Sequence, residues 1–104
     1  MEKYKVVIEP VARKDMHDIF YYISESLKEP RTAKRIYLSI REKILSLDFQ
    51  PYRYKVVDEE PYSLRGIRTI PVENYLAFFY IDESDKTVHI MRIMYKRRSW
   101  KNLL

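Results

Sequence analysis

Basic and aromatic side chains cluster at the C-terminal end of the chain, directly after an apolar run. The segment 91–104 contains five basic residues and no acidic residue. These residues and the two aromatic rings among them are Arg92, Tyr95, Lys96, Arg97, Arg98, Trp100 and Lys101. Cations interleaved with aromatic rings suit phosphate backbones and base faces, or an acidic groove on another protein. The last strand and its exit are therefore predicted to be the working end of the molecule.

The composition narrows the chemistry that this end could perform. The chain has no cysteine, so neither disulfide bonds nor thiolate catalysis is possible. His17 and His89 are the two histidines, they lie far apart in sequence, and no zinc-ligand spacing is present. We therefore predict no metal and no cofactor. The net charge of +5 favours a polyanionic partner, either nucleic acid or an acidic protein.

Length and apolar content favour one folded unit. The 104 residues, of which 46% are hydrophobic, are predicted to form a single domain over 1–104. The N-terminal residues have the pattern of a strand rather than of a secretory signal. No apolar run approaches the roughly 18 residues that a membrane span needs. We therefore expect a cytoplasmic protein without a membrane partner.

The first half of the chain predicts one strand and two helices. Residues 3–8 alternate in polarity and are rich in β-formers, which indicates a strand. Glu9-Pro10 then opens a helix with an apolar stripe at helical spacing. Pro30 ends that helix and begins a second one, whose stripe runs to Leu47 before Gln50-Pro51 terminates it.

The second half predicts a loop followed by three strands. The segment 50–63 is polar and aromatic, with a possible short extended piece at 54–57. Strand-like runs follow at 64–72, 75–81 and 87–95. They are joined by the turn residues Glu73-Asn74 and by the hairpin loop 82–85. Such short connections predict an antiparallel meander.

The predicted order is β-α-α-β-β-β, an α+β fold with an antiparallel sheet and a helical hairpin packed on one face. The chain offers no further element for the other face, so that face is expected to be partly open. Alternation assigns Arg68 to one face, with Gly66 and Ile70, and Arg65 to the other, with Ile67. An open, concave, cation-bearing sheet face would be a natural site.

Five segments, in this order and spacing, resemble a known family over nearly the whole chain. They are the opening strand at 4–10, a first-helix signature at 18–23, the end of the second helix at 44–51, the central hairpin at 65–82, and the last strand with its basic exit at 90–100. Together they are similar to the RelE/ParE superfamily of toxins from bacterial type II toxin–antitoxin modules.

The resemblance implies a growth-inhibiting toxin that a cognate antitoxin neutralises. RelE-like members enter the ribosomal A site and cleave mRNA, with the RNA 2′-hydroxyl as nucleophile and without a metal. ParE-like members poison DNA gyrase. Our first hypothesis is a ribosome-dependent mRNA endonuclease, and the alternative is a ParE-type gyrase inhibitor. A degenerate toxin retained as a binding module and an unrelated nucleic-acid-binding domain stay open as well.

The resemblance also implies roles for particular residues. Arg68 takes the position of a functional lysine, Arg97 that of a phosphate-contacting arginine, and Tyr95 is the nearest substitute for a proton carrier. These three are the predicted catalytic residues. The predicted nucleic-acid-binding residues are Arg65, Lys96, Arg98 and Lys101.

Other residues of the same region favour the alternative or a structural role. Tyr75 stands where RelE-like members often carry a catalytic arginine, which favours the gyrase hypothesis, as do the two long helices. Arg92 is expected to be a structural ion-pair partner, and Trp100 to pack its ring on the edge of the core. Arg98 could instead pair with the acidic loop 58–60.

Overall fold

Two helices pack on one four-stranded sheet in this computed structural model, which describes residues 3–101 and 103–104. The elements in chain order are β1 (Lys5–Ile8), α1 (Pro10–Tyr21), α2 (Pro30–Leu45), β2 (Arg68–Val72), β3 (Tyr75–Asp82) and β4 (Thr87–Tyr95). The predicted order β-α-α-β-β-β and the α+β class are therefore confirmed. No helix in the described part of the chain is both long enough and apolar enough to cross a bilayer.

The sheet has the strand order β1-β4-β3-β2. The three C-terminal strands form the predicted antiparallel meander. β1 differs, because it pairs with β4 in parallel, in a register that places Val6 opposite Val88. The sheet is consequently mixed rather than wholly antiparallel. A parallel pair needs a long connection instead of a tight turn. The short loops, from which the antiparallel meander was predicted, therefore do not indicate how β1 pairs.

Proline and positive backbone angles set the ends of the helices. Pro10 and Pro30 each occupy the first turn of their helix, where the missing N–H costs nothing. α1 continues into a π-helical turn at Tyr22–Ser26, and the chain then reverses at Lys28, which has a φ of 54°. The predicted turn after β2 is present as well, with Glu73 at a φ of 54°.

The main core lies between the helices and one face of the sheet. Fully buried side chains from α1, α2 and three strands meet there: Ala12, Met16, Ile40, Ile44, Ile70, Ala77, Phe79, Val88, Ile90 and Ile93. The apolar stripes predicted for the two helices supply the upper layer of this core. Each Å² of apolar surface that this layer removes from water stabilises the fold by roughly 25 cal/mol.

The other face of the sheet is partly covered by the chain's own C-terminal segment. Phe78 and Met94 are buried beneath Trp100 and Leu103, and Tyr62 of the connection between α2 and β2 packs beside them. The sheet face without helices is therefore covered at this end. The last residues, interpreted as a free working end, in part complete a second small core.

The connection between α2 and β2 is mostly irregular. The extended piece predicted at 54–57 is reduced to one antiparallel bridge, between Val56 and Arg68. Tyr54 packs edge-on against Phe79, with ring centroids 6.4 Å apart. This connection therefore lies along the outer edge of β2 and limits access to it.

Candidate functional site

A cleft of about 650 Å³ opens where the two helices meet the turn between β2 and β3. Its lining comes from α1, the π-helical turn, the start of α2, that turn and the end of β4. Its wall includes Ile19, Tyr22, Leu27, Arg35, Ile36, Glu73, Tyr75, Met94, Tyr95 and Arg98. The cleft thus joins distant parts of the chain around a mainly apolar and aromatic wall.

Aromatic and aliphatic side chains at the mouth of the cleft remain accessible to solvent. Tyr22 and Leu27 are 56% and 52% exposed, and Tyr95 is 45% exposed. Tyr95 contacts Tyr75 edge to face, with ring centroids 5.8 Å apart. Burial raises the pKa of Tyr75 above its ordinary value of 10. Such a surface can bind apolar side chains of a partner and hydrogen-bond its polar groups.

Charged side chains line the rim of the cleft. Arg35 of α2 forms an ion pair with Glu73 of the β2–β3 turn, which joins the two sides of the opening. Arg98 lies on the same rim, because its backbone N–H donates to the carbonyl of Tyr95 across the turn that ends β4. One predicted nucleic-acid-binding residue therefore belongs to the cleft.

Arg68, a predicted catalytic residue, is held by neighbouring backbone and rings. Its Nη1 donates to the carbonyl of Tyr54 at 2.5 Å, and its guanidinium stacks 5.0 Å from the ring centroid of Tyr52. Alternation puts it on the helix-covered face with Ile70, at the sheet edge. Arg65, which precedes Arg68 in the chain, is exposed. Burial raises the pKa of Tyr80, and the positive charge of Arg65 offsets a small part of that rise.

The three predicted catalytic residues do not converge. Arg68 is paired with Phe79 near the middle of β3, whereas Tyr95 is paired with Tyr75 at the first residue of that strand. The stretch of β3 between these two positions is roughly 13 Å long. A general acid and a phosphate-binding cation that act on one phosphodiester must both reach it at hydrogen-bond distance. Tyr95 and Arg97 are two residues apart, but Arg68 belongs to a different region.

The cations that directly follow β4 are available for an external partner. Lys96, Arg97 and Arg98 are exposed, and their side chains form no hydrogen bond or ion pair within residues 3–101 and 103–104. Lys101 differs, since its Nζ lies 2.8 Å from Glu59, which raises the pKa of the lysine. The acidic loop is thus paired with Lys101 and not with Arg98.

Trp100 and Arg92 have the structural roles expected from the sequence. The ring centroid of Trp100 lies 5.1 Å from that of Phe78 and 5.5 Å from that of Tyr62. Arg92 donates from Nε and Nη2 to the carboxylate of Asp15, at 2.8 and 3.0 Å. The hydrogen bonds to Asp15 raise the pKa of Arg92 further above its ordinary value.

Asp15 is the residue that sequence reasoning missed. Its carboxylate also accepts the backbone N–H of Ile93 at 2.9 Å, so one α1 side chain holds β4 through three hydrogen bonds. The side chains of Asp15 and Arg92 are 12% and 19% exposed. The spacing within α1 gave no sign of this role, because both partners lie in a distant strand.

One group of potential metal ligands occurs in the described residues, at the β3–β4 hairpin. Ligand atoms of Asp82, Asp85 and His89 lie within 4.8 Å of one another. Asp82 already accepts hydrogen bonds from the backbone and the hydroxyl of Ser84. This group lies at the opposite end of β3 from Tyr75 and is thus separate from the cleft.

The sequence of this chain matches a protein family over almost its entire length. Residues 6–100 match the family described as "ParE toxin of type II toxin-antitoxin system, parDE". Among curated proteins, none is similar enough in sequence to count as a relative.

Solved structures with the same fold come from toxin–antitoxin complexes. A chromosomal ParDE system from P. aeruginosa gives a TM-score of 0.73 at 22% identity, covering 89% of this chain and 96% of that one. A RelBE complex from Mycobacterium tuberculosis gives 0.68 at 23% identity, covering 89% and 98%. An archaeal RelE–RelB complex from Pyrococcus horikoshii gives 0.52 at 17% identity, covering 93% and 99%. At these identities the likeness concerns the fold.

Proposed function

We propose, from the premise that this chain belongs to the ParE toxin family of type II toxin–antitoxin systems, that it stops growth by binding DNA gyrase. It is the toxin of such a module. The target is our proposal, and it reverses the order of the two hypotheses that the sequence alone favoured. Binding, rather than cleavage of RNA, is the activity that its geometry supports best.

The arrangement of Arg68 carries this proposal. Its guanidinium already binds the Tyr54 carbonyl and the Tyr52 ring, and its partner Phe79 lies four residues along β3 from Tyr75, the partner of Tyr95. Metal-free RNA cleavage needs a proton carrier and transition-state cations around one phosphate. A toxin that acts by occupying a protein surface needs no such set. Tyr75 at the position of the usual catalytic arginine agrees with a binding toxin.

The cleft is the surface that we assign to the antitoxin. Its exposed Tyr22 and Leu27 supply apolar contact area, and Arg98 on the rim supplies a cation. An antitoxin segment with apolar side chains and an acidic flank would match both. The exposed cations Lys96 and Arg97 lie next to this rim, and we assign them to the toxic contact with the target.

Ribosome-dependent cleavage of mRNA is the second candidate, and one observation favours it. Tyr95 is 45% exposed at the point where Lys96 and Arg97 begin the cationic tail. A phenol next to two cations could donate a proton to a leaving oxygen whose phosphate they bind. The ribosome would then have to align the 2′-hydroxyl with that phosphate.

A pair of assays on the same purified toxin separates the candidates. We expect the wild type to inhibit supercoiling by gyrase and to leave cell-free translation unchanged. Tyr95→Phe should inhibit gyrase as well as the wild type does, because the ring and its contact with Tyr75 are retained. Intact gyrase activity with mRNA cut at defined codon positions, and slower cutting by Tyr95→Phe, would overturn the gyrase proposal in favour of the ribosome.

A further inference from the structure

Helix α2 is strongly basic, although it belongs neither to the tail nor to the wall of the small second core. Its 16 residues include five cations and one acid, Glu42. The cations are Arg31, Lys34, Arg35, Arg41 and Lys43. This excess accounts for most of the +5 charge of the whole chain. α2 is therefore a second concentration of positive charge beside the cationic tail.

Four of these cations have no side-chain partner among residues 3–101 and 103–104. Arg35 pairs with Glu73, whereas Arg31, Lys34, Arg41 and Lys43 are exposed and form no hydrogen bond or ion pair with any described residue. Helix α1 shows the contrast, because its Lys14 pairs with Asp18 one turn later, at 2.8 Å. The free cations of α2 repel one another, which costs stability unless a partner supplies negative charge.

The free cations are arranged along the helix axis. Arg31, Lys34 and Arg41 lie within one arc of the helix surface, and they span roughly 15 Å at a rise of 1.5 Å per residue. Lys43 lies around the side, where it borders a shallow groove together with Arg53. We name the surface formed by Arg31, Lys34 and Arg41 the cationic face of α2.

The apolar content of this face favours nucleic acid over a helical peptide. A partner helix needs several apolar anchors at i, i+3, i+4 and i+7. Leu38, which is 50% exposed, is the one large apolar side chain that α2 leaves exposed in the described structure. The cleft, by contrast, has a mainly apolar wall. A row of free cations with a single leucine matches a phosphate backbone, and the cleft matches a protein segment.

We propose that the cationic face of α2 binds the phosphate backbone of duplex DNA, without reading base sequence. The choice of DNA over RNA rests on the proposed function, because gyrase holds duplex DNA. Duplex DNA carries one negative charge per roughly 1.7 Å of axis, so a face of this length meets several phosphates. The toxin would then contact the enzyme through its tail and the enzyme's DNA through α2.

The test compares two triple variants that lose the same charge. In the first, R31Q, K34Q and R41Q neutralise the cationic face. In the second, K5Q, K14Q and K55Q neutralise exposed lysines on other elements. Binding to a short duplex DNA of random sequence is measured by fluorescence anisotropy over a series of salt concentrations, with circular dichroism to check folding.

The wild type is expected to bind the duplex with a steep salt dependence. Each lost phosphate contact reduces the slope of log K against log salt by roughly 0.9. The first variant should thus reduce the slope by about 2 to 3, and the second should leave it nearly unchanged. Equal effects of the two variants, or no DNA binding by the wild type, would overturn the proposal.

Three further measurements distinguish DNA binding by α2 from RNA binding, from antitoxin binding and from the gyrase proposal. A matched RNA duplex should bind no more tightly than the DNA, and stronger, variant-sensitive binding to RNA would refute the choice of DNA. The first variant should still co-purify with the antitoxin, and loss of the complex would assign the face to that protein instead. A wild type that binds DNA but leaves supercoiling intact would refute the gyrase proposal and not the DNA-binding face.

Discussion

Arg92 and Arg97 are separated by four residues, yet their surroundings are opposite. Arg92 lies within β4 and is 19% exposed, with two donors on Asp15 and a third on the carbonyl of Leu103. Arg97 follows the end of β4, is exposed, and has no side-chain partner in the described part of the protein. The first arginine is committed to the fold and the second is free for a target. Their difference shows that the role of an arginine depends on the hydrogen-bond acceptors that other parts of the fold place beside it.

The largest effect is expected from removing the charge that Arg92 depends on. Asp15→Asn keeps the shape but leaves the Arg92 guanidinium without a counter-charge in a largely buried position. We expect a loss of about 3 kcal/mol in the free energy of unfolding, measured by urea denaturation. Arg97→Ala serves as the control and should change the unfolding free energy by less than about 0.5 kcal/mol. Equal unfolding free energies of the two variants would contradict the claim that Arg92 stabilises the fold and Arg97 does not.

A smaller loss of stability is expected at Trp100, which anchors the tail to the sheet. Trp100→Ala removes the ring that covers Phe78, and since Trp100 is only partly buried we expect a cost of about 2 kcal/mol, below that of a fully buried tryptophan. Limited proteolysis should then cut the chain after Arg97 faster than in the wild type. An unchanged cleavage rate would mean that the tail is held by other contacts, such as that of Lys101 with Glu59.

A functional effect without a structural one is predicted for Arg97. Arg97→Ala removes one charge-assisted contact with the target, worth roughly 1.5–3 kcal/mol, so toxicity should fall tenfold or more. Growth after induction gives the readout, and the urea midpoint should stay at the wild-type value. The double variant with Arg68→Ala should be no less toxic than Arg97→Ala alone once its stability is allowed for, because the Arg68 guanidinium is engaged by the Tyr54 carbonyl. A folded Arg97→Ala that still stops growth would move the contact elsewhere.

The smallest effect concerns Glu83, an exposed counterpart of Asp15. Its carboxylate pairs with Lys86 and accepts hydrogen bonds from Tyr52 and Tyr4, contacts that lower its pKa from 4.5 to about 2. The hydrogen bond that the Tyr52 hydroxyl donates to Glu83 raises the pKa of Tyr52 to about 12. Because the folded-state pKa of Glu83 is depressed, its contribution is present above pH 4.5 and is lost as the pH falls towards 2.

The corresponding measurement is the melting temperature of the wild type and of Glu83→Gln between pH 6 and pH 2. The wild type should melt slightly higher at pH 6, and the two proteins should converge as the carboxylate is protonated. Added salt should narrow the gap at pH 6, because the group is exposed. A gap that persists unchanged at pH 2 would show that the charge of Glu83 is not its source.

The sequence predicted those parts of the fold that local chemistry determines. Pro10 and Pro30 marked the helix starts, Glu73-Asn74 marked a turn, and apolar periodicity identified the strands of the meander. The parallel pairing of β1 was missed, because it joins the two ends of the chain and no local pattern encodes it. The packing of Leu103 against the second sheet face was missed for a similar reason, although Trp100 was expected to pack on the edge of the core.

The candidate site was less predictable than the fold. Lys96 and Arg97 directly follow a predicted strand, and this position correctly indicated that both side chains are exposed. The same reasoning could not see that Arg68 is engaged by the Tyr54 carbonyl, because the connection that supplies this acceptor has no regular pattern. The predicted catalytic roles therefore stay predictions, and the cationic face of α2 was overlooked because its residues also serve an ordinary solvated helix.

The pairing of β1 with β4 has a consequence for how the protein is made. The first strand to leave the ribosome finds its neighbour in the last one, with Val6 opposite Val88. Contacts between residues so distant in sequence form late, because a long loop must close before they contribute. A nascent chain interrupted before β4 would lack the central strand that joins β1 to the meander. A copy that terminates before β4 is therefore expected not to form the folded sheet, because β1 and β3 would both lose the strand that lies between them.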